Sequence, residues 1–149
     1  MKDPNVVAVL GLLLGLGVKH LIVDFALQPP YMYLNKGKFG HPGGIIHSLL
    51  HAASTIVVIG IWSVVTKYGI AGAHALVNIV VLEFWWHYMT DLTKVRLCQH
   101  FGWRALPPKG KEHDVQELAK CNCFWIALGV DQFSHFTNYL VIAFVMMAI

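Results

Sequence analysis

Charge is what this chain has least of. Of its 149 residues only 13% are Asp, Glu, Lys or Arg, about half of the ~25% usual for a soluble domain. With 56% hydrophobic residues and a mean hydropathy of +0.57, that shortage excludes an ordinary water-soluble fold. The net charge of +3 is too small to imply nucleic-acid binding, and the basic residues gather in loops rather than along one helix face. Cysteine is scarce as well. Cys98, Cys121 and Cys123 make no framework of the kind that staples small secreted domains. Internal repeats and low-complexity tracts are missing, and no HExxH motif supports zincin-type proteolysis. The length fits one domain, residues 1–149, and the composition makes it an integral membrane protein.

What is present is long apolar sequence. The expected fold is all-α, a polytopic bundle of four transmembrane helices at about 6–25, 44–65, 71–97 and 124–149. The twenty residues of the first reach about 30 Å at 1.5 Å per residue, the thickness of the hydrocarbon core. Pro29, Pro30, Gly37, Gly40, Pro42 and Gly43 punctuate the first loop, whereas Thr66 to Ile70 reads as a tight turn. The third loop carries Pro107-Pro108 and a polar stretch, Lys111 to Lys120, that reads as solvated loop rather than interfacial helix. Lys2 and Asp3 cancel before the first span and no small-x-small site follows it, so it reads as a retained helix, not a signal peptide. Loops one and three hold eight basic residues: Lys36, Lys38, Lys94, Arg96, Arg104, Lys109, Lys111 and Lys120. The other side holds Lys2 and Lys67. The positive-inside rule therefore expects both termini outside, with those two loops in the cytoplasm.

Polar groups interrupt these spans in a pattern. Asp24, Glu83, Asp91 and Asp131 lie within or at the edge of spans, as do His20, His47, His51, His87 and His135. A charged carboxylate at a helix centre costs about 2.5–3.5 kcal/mol on insertion scales, so these groups must face the bundle interior. His20 and Asp24 are four apart, as are His47 and His51, His87 and Asp91, and Asp131 and His135. Residues at that spacing share a helix face, so every span offers one stacked pair, and Glu83 extends the third by a turn. All four pairs also fall in the cytoplasmic half. Helix bundles build metal sites in this way, and these eight ligands suffice for one or two ions. Nitrogen and oxygen ligands without thiolate favour Zn, Mn or Fe. An interhelical hydrogen-bond network is the plainer reading of any single pair; four pairs at one depth favour metal.

Other features carry less. Gly11-x-x-x-Gly15 reads as a close-packing stripe, Cys121-x-Cys123 as reduced, inert thiols, and His41, His74, His100 and His113 as solvated or interfacial. Trp85, Trp86, Trp103 and Trp125 fit an aromatic belt. Lys94 and Arg96 read either as snorkelling residues or as an anion-binding rim.

The succession His20-x3-Asp24-Phe25-x2-Gln28, Lys36, His47-x3-His51, His87-x3-Asp91-x2-Lys94 and Asp131-Gln132-x2-His135 resembles the DUF3307 family over essentially the whole chain. Those are small bacterial and phage-encoded membrane proteins of unknown function, which implies a bacterial inner membrane. A looser likeness is to inner-membrane proteins described as membrane-bound metal-dependent hydrolases. The expected activity is a metal-dependent hydrolase of a lipid or phosphoester at the inner leaflet. Glu83 and Lys94 are the candidate catalytic residues, and Lys36, Lys94 and Arg96 would hold an anionic headgroup. Two other classes compete. One is an ion or proton transporter, since intramembrane Asp/His chains mark such paths. The other is a non-catalytic subunit of a larger complex, binding haem or pigment through axial His. The expected partner is membrane lipid and not nucleic acid; a monomer, a homo-oligomer and a place in a larger membrane complex all suit helices of this length.

Overall fold

A computed structural model describes residues 4–68, 72–107 and 116–148. Lys2, Lys109, Lys111 and His113, and the expected span ends Ala71 and Ile149, lie outside the described residues. Every regular element among them is helical. Helix α1 runs Pro4–Leu21 and passes into a π-helical turn, Ile22–Ala26. A single turn, α2 (Pro30–Tyr33), precedes α3 (Pro42–Thr66). Then follow α4 (Ala73–His100), a second single turn α5 (Gln116–Ala119), and α6 (Asn122–Ala148). The long helices close a ring, α1 on α3, α3 on α4, α4 on α6 and α6 back on α1.

The helix ends follow from local chemistry. Pro42 fits the first turn of α3, where its missing N–H is no loss, and His41 caps that helix, its Nδ1 accepting from Gly43 N at 3.0 Å. His41 is thus a structural residue rather than a merely solvated one. Replacing it by Ala removes that acceptor, and detergent-solubilised H41A is expected to lose about 1 kcal/mol in denaturant titration. At the other end of α4, Gly102 takes φ of +68°, Trp103 N donates to Cys98 O and Gly102 N to Gln99 O. That is the Schellman pattern, and it needs a residue without Cβ strain at Gly102.

The bundle is inverted relative to a soluble one. Its surface is apolar: Leu14, Val64, Phe133 and Phe144 are each at least 70% exposed, and α4 adds Val77, Val81 and Trp85. Its interior has two storeys. One is apolar, built from Leu12 and Leu16 of α1, Ile59 and Trp62 of α3, Ile79 of α4, and Ile142 and Met146 of α6. Gly15 lets α1 approach α3, because a Cβ there would meet Val58 Cγ1 at 2.9 Å, whereas Gly11 faces open space. The other storey is polar and holds the His and Asp pairs. Two helical segments, Asn5–Ala26 and Pro42–Thr66, are long and apolar enough to cross a membrane; α4 and α6 match them in length but carry more of the polar storey.

Two local details depart from expectation. The structure joins Cys121 and Cys123 in a disulfide, their Cα atoms 5.4 Å apart, because the start of α6 brings the two within bridging distance. Of the polar stretch before α6, residues Gln116–Ala119 form a helical turn whose Leu118 is buried, anchoring it to the bundle.

Candidate metal centre

The π-helical turn sets the geometry of the site. It falls at Asp24, and such insertions redirect side chains that a regular helix would stack elsewhere. Asp24 Oδ1 lies 3.0 Å from His47 Nε2, 3.4 Å from His51 Nε2 and 3.8 Å from His87 Nε2. His47 Nε2 and His87 Nε2 are 3.0 Å apart. Helices α3 and α4 present these imidazoles on the face that closes the ring, and all three are essentially buried.

These separations fit a shared ion. Four ligands bound tetrahedrally at about 2.0–2.1 Å sit about 3.3 Å from one another, and the ligand atoms of Asp24, His47, His51 and His87 all lie within 4.8 Å. Three neutral imidazoles and one carboxylate form a donor set that suits Zn, Mn or Fe. His51 Nε2 and His87 Nδ1 are buried without a hydrogen-bond partner, which a purely hydrogen-bonded network would leave unexplained. A second group, His87, Asp91 and His135, also has ligand atoms within 4.8 Å. The two groups share His87. Each could hold a metal ion.

The remaining expected site residues surround these groups in different roles. His20 has both ring nitrogens engaged, Nδ1 with Tyr139 Oη at 2.8 Å and Nε2 with Gln132 Oε1 and Asp24 Oδ2, both at 3.0 Å. It therefore stands behind Asp24 and orients it. Asp131 lies beside the second group, 3.6 Å from His135 Nε2 and 2.9 Å from Lys94 Nζ. Glu83 is fully buried, ion-paired with Lys19 and accepting from Asn138 Nδ2, and its Oε1 is 4.0 Å from His51 Nδ1.

The lysines reach further than the sequence suggests. Lys19 Nζ pairs with Glu83 of α4 and donates to His51 O of α3 at 3.3 Å. Lys36 folds inward from the first loop and is buried, 2.8 Å from Asp91 Oδ2 and 3.7 Å from Asp24 Oδ1. Lys94 spans Asp131 and Asp91. Lys36 and Lys94 are thus each ion-paired with carboxylates, and Arg96 is exposed, its Nε donating to Gly37 O at 3.4 Å. Among the described residues, three inward-facing lysines, Lys19 and Lys36 buried and Lys94 half-buried, face four carboxylates, Asp24, Glu83, Asp91 and Asp131. With neutral imidazoles the polar storey is one positive charge short of neutrality, and that shortfall invites a cation.

Gln28 stands in the motif quoted from the sequence without a role there, and its Nε2 lies 3.0 Å from His47 Nδ1. Sequence reasoning gave Tyr139 and Asn138 no role either; α6 presents them about one turn beyond His135 and two beyond Asp131. The signal was available: Tyr139 continues the stripe at the same spacing of four.

No curated protein and no solved structure matches the chain. One family model does match, that of a protein of unknown function, over residues 12–149. That range takes in both His/Asp groups and all three inward-facing lysines, so the chain belongs to the DUF3307 family.

Proposed function

We propose that this chain is a four-span protein of the bacterial inner membrane, with both termini outside, that holds a divalent transition metal near its cytoplasmic end and hydrolyses a lipid phosphoester there. The mutual approach of Asp24, His47, His51 and His87, with separations of 3.0–3.8 Å around Asp24 Oδ1, carries the metal reading. The apolar exterior of α4 and α6 supports four spans rather than two, because polar side chains on those helices turn inward. The eight-to-two bias of basic residues supports the orientation.

When bound, such an ion supplies Lewis acidity toward a phosphoryl oxygen and toward water. The chain's own residues do the rest. Asp24 and the three imidazoles hold the ion, and His20 fixes the Asp24 carboxylate from behind. Glu83 is a positioning residue: it holds the Lys19 ammonium, which lies 3.3 Å from His51 Nδ1. Lys36 and Lys94 pair with Asp91 and Asp131 in an apolar setting. Of these lysines Lys94 is the more exposed, at 18%, and it is the group positioned to meet a substrate oxygen. The transport reading gains no support, since the buried side chains beyond Asn138 belong to the apolar storey of Leu12, Leu16, Ile59 and Ile142.

The test is hydrolysis of headgroup-labelled phospholipid by protein in detergent–lipid micelles. Turnover that disappears with chelator, returns with Zn, Mn or Fe, and is lost in H47A is the expected result. Equal turnover in H47A overturns the assignment.

A further inference from the structure

Helices α4 and α6 do not close completely against each other. Between them runs a cleft of about 870 Å³ lined by Leu82, Trp85, Met89, Val130 and other apolar side chains, within the range of sites that enclose small ligands. The lining continues along α4 to Phe101 and Trp103. Its floor is polar over two adjacent turns: Lys94 and Asp131, 2.9 Å apart, and Thr90 Oγ1 and Ser134 Oγ, paired at 3.0 Å one turn further in. Asp131 in turn lies 3.6 Å from His135, a member of the second metal-capable group. The cleft therefore runs beside the polar storey on the lipid-facing side of the bundle, with Leu82 to one side of Lys94 and Phe101 and Trp103 to the other.

We infer that this cleft holds one acyl chain of a cytoplasmic-leaflet phospholipid, with the ester end of the chain at Lys94. The inference rests on the membrane placement and the site proposed above, and it names the substrate class of that site. Three observations converge on it. Apolar walls give water no partners, so an alkyl chain fills the space better than solvent. These two turns offer an ammonium and two hydroxyls to a group with oxygen acceptors, which is what a chain carries at one end only. The twelve residues from Leu82 to Lys94 rise about 18 Å, close to the ~15 Å depth of one leaflet in a core of about 30 Å. A chain whose ester meets Lys94 would thus end near Leu82, at the bilayer midplane.

The experiment is photolabelling in vesicles of phosphatidylethanolamine and phosphatidylglycerol, doped with phosphatidylcholine that bears a diazirine midway along one acyl chain. Labelled peptides are mapped by mass spectrometry, and metal content is measured on the same samples. Labelling concentrated at Trp85, Trp86 and Met89, falling at least fivefold in T90W while the exposed α3 face at Val57, Ile61 and Val64 is labelled as before, is the expected result. Thr90 lines the cleft on the Leu82 side of Lys94, and an indole there fills it. Uniform labelling of α3, α4 and α6, or cleft labelling unchanged in T90W, means ordinary boundary lipid and overturns the inference. A protein that takes up metal yet labels uniformly keeps the site and loses the cleft; one that labels in the cleft yet holds no metal keeps the chain pocket and loses the metal reading.

Discussion

Asp24→Ala is expected to release the metal almost completely, from about one equivalent per chain to less than a tenth, in protein purified without chelator and assayed by elemental analysis. Among the described residues Asp24 is the one carboxylate within 4 Å of Nε2 of all three of His47, His51 and His87; Asp91 Oδ2 reaches His47 and His87, at 3.4 and 3.5 Å, but not His51. Loss of a residue that merely orients a ligand typically weakens metal binding about 10–100-fold, and loss of the ligand itself should exceed that. The stability effect should depend on metal. In loaded protein the melting temperature of D24A falls, because binding to the folded state alone is folding free energy. In stripped protein it changes little, since Lys36 retains Asp91 at 2.8 Å. His20→Ala provides the contrast: it removes only the group behind Asp24, so affinity weakens but binding survives. Wild-type protein that takes up no Zn, Mn or Fe when titrated would show the cluster to be an ionic network of His, Asp and Lys alone.

How much of this was legible beforehand varied with the range of the interaction. The spacing of four within each span is local, and it placed His47, His51, His87 and Asp91 on inward faces. Shared depth brought them to one level, because antiparallel helices of similar length align in a bilayer. Three features escaped for one physical reason, which is that they depend on contacts between segments. Lys36 sits in a Pro- and Gly-rich loop that reads as solvated, yet the turn at Pro30–Tyr33 and the cap at His41 fold that loop over the bundle end. Gly37 makes the fold-back feasible, since a Cβ there would meet Val95 Cγ1 at 2.4 Å. The π-helical turn at Ile22–Ala26 leaves no mark in periodicity over five residues, yet it aims Asp24 at three imidazoles while His20 turns aside to Tyr139. The reach of the inward-facing lysines likewise depends on how the segments pack. A lysine stem is long enough to cross from one helix to the next, and Lys19 and Lys94 both do so.

The second large effect concerns Lys19 and Glu83, and it is expected to appear in stability rather than metal content. Their side chains are 5% and 0% exposed, deep enough that water cannot solvate either partner alone. Lys19→Met leaves Glu83 with Asn138 as its remaining close partner, and stranding a buried charge costs about 3–5 kcal/mol. Glu83→Gln strands Lys19 less severely, because its ammonium still has the His51 carbonyl at 3.3 Å and the Tyr139 ring at 4.9 Å. The double variant K19M/E83Q removes both charges and keeps an amide for Asn138, so it should recover most of the loss, as happens when a buried pair gives way to neutral groups. Denaturant titration of the four proteins in one detergent reads the coupling directly. A coupling above about 2 kcal/mol, with the double variant more stable than K19M, is the expected outcome. Strictly additive losses would mean that the two charges do not depend on each other, and that the pair contributes through packing of the Lys19 stem against α3 and α6 instead.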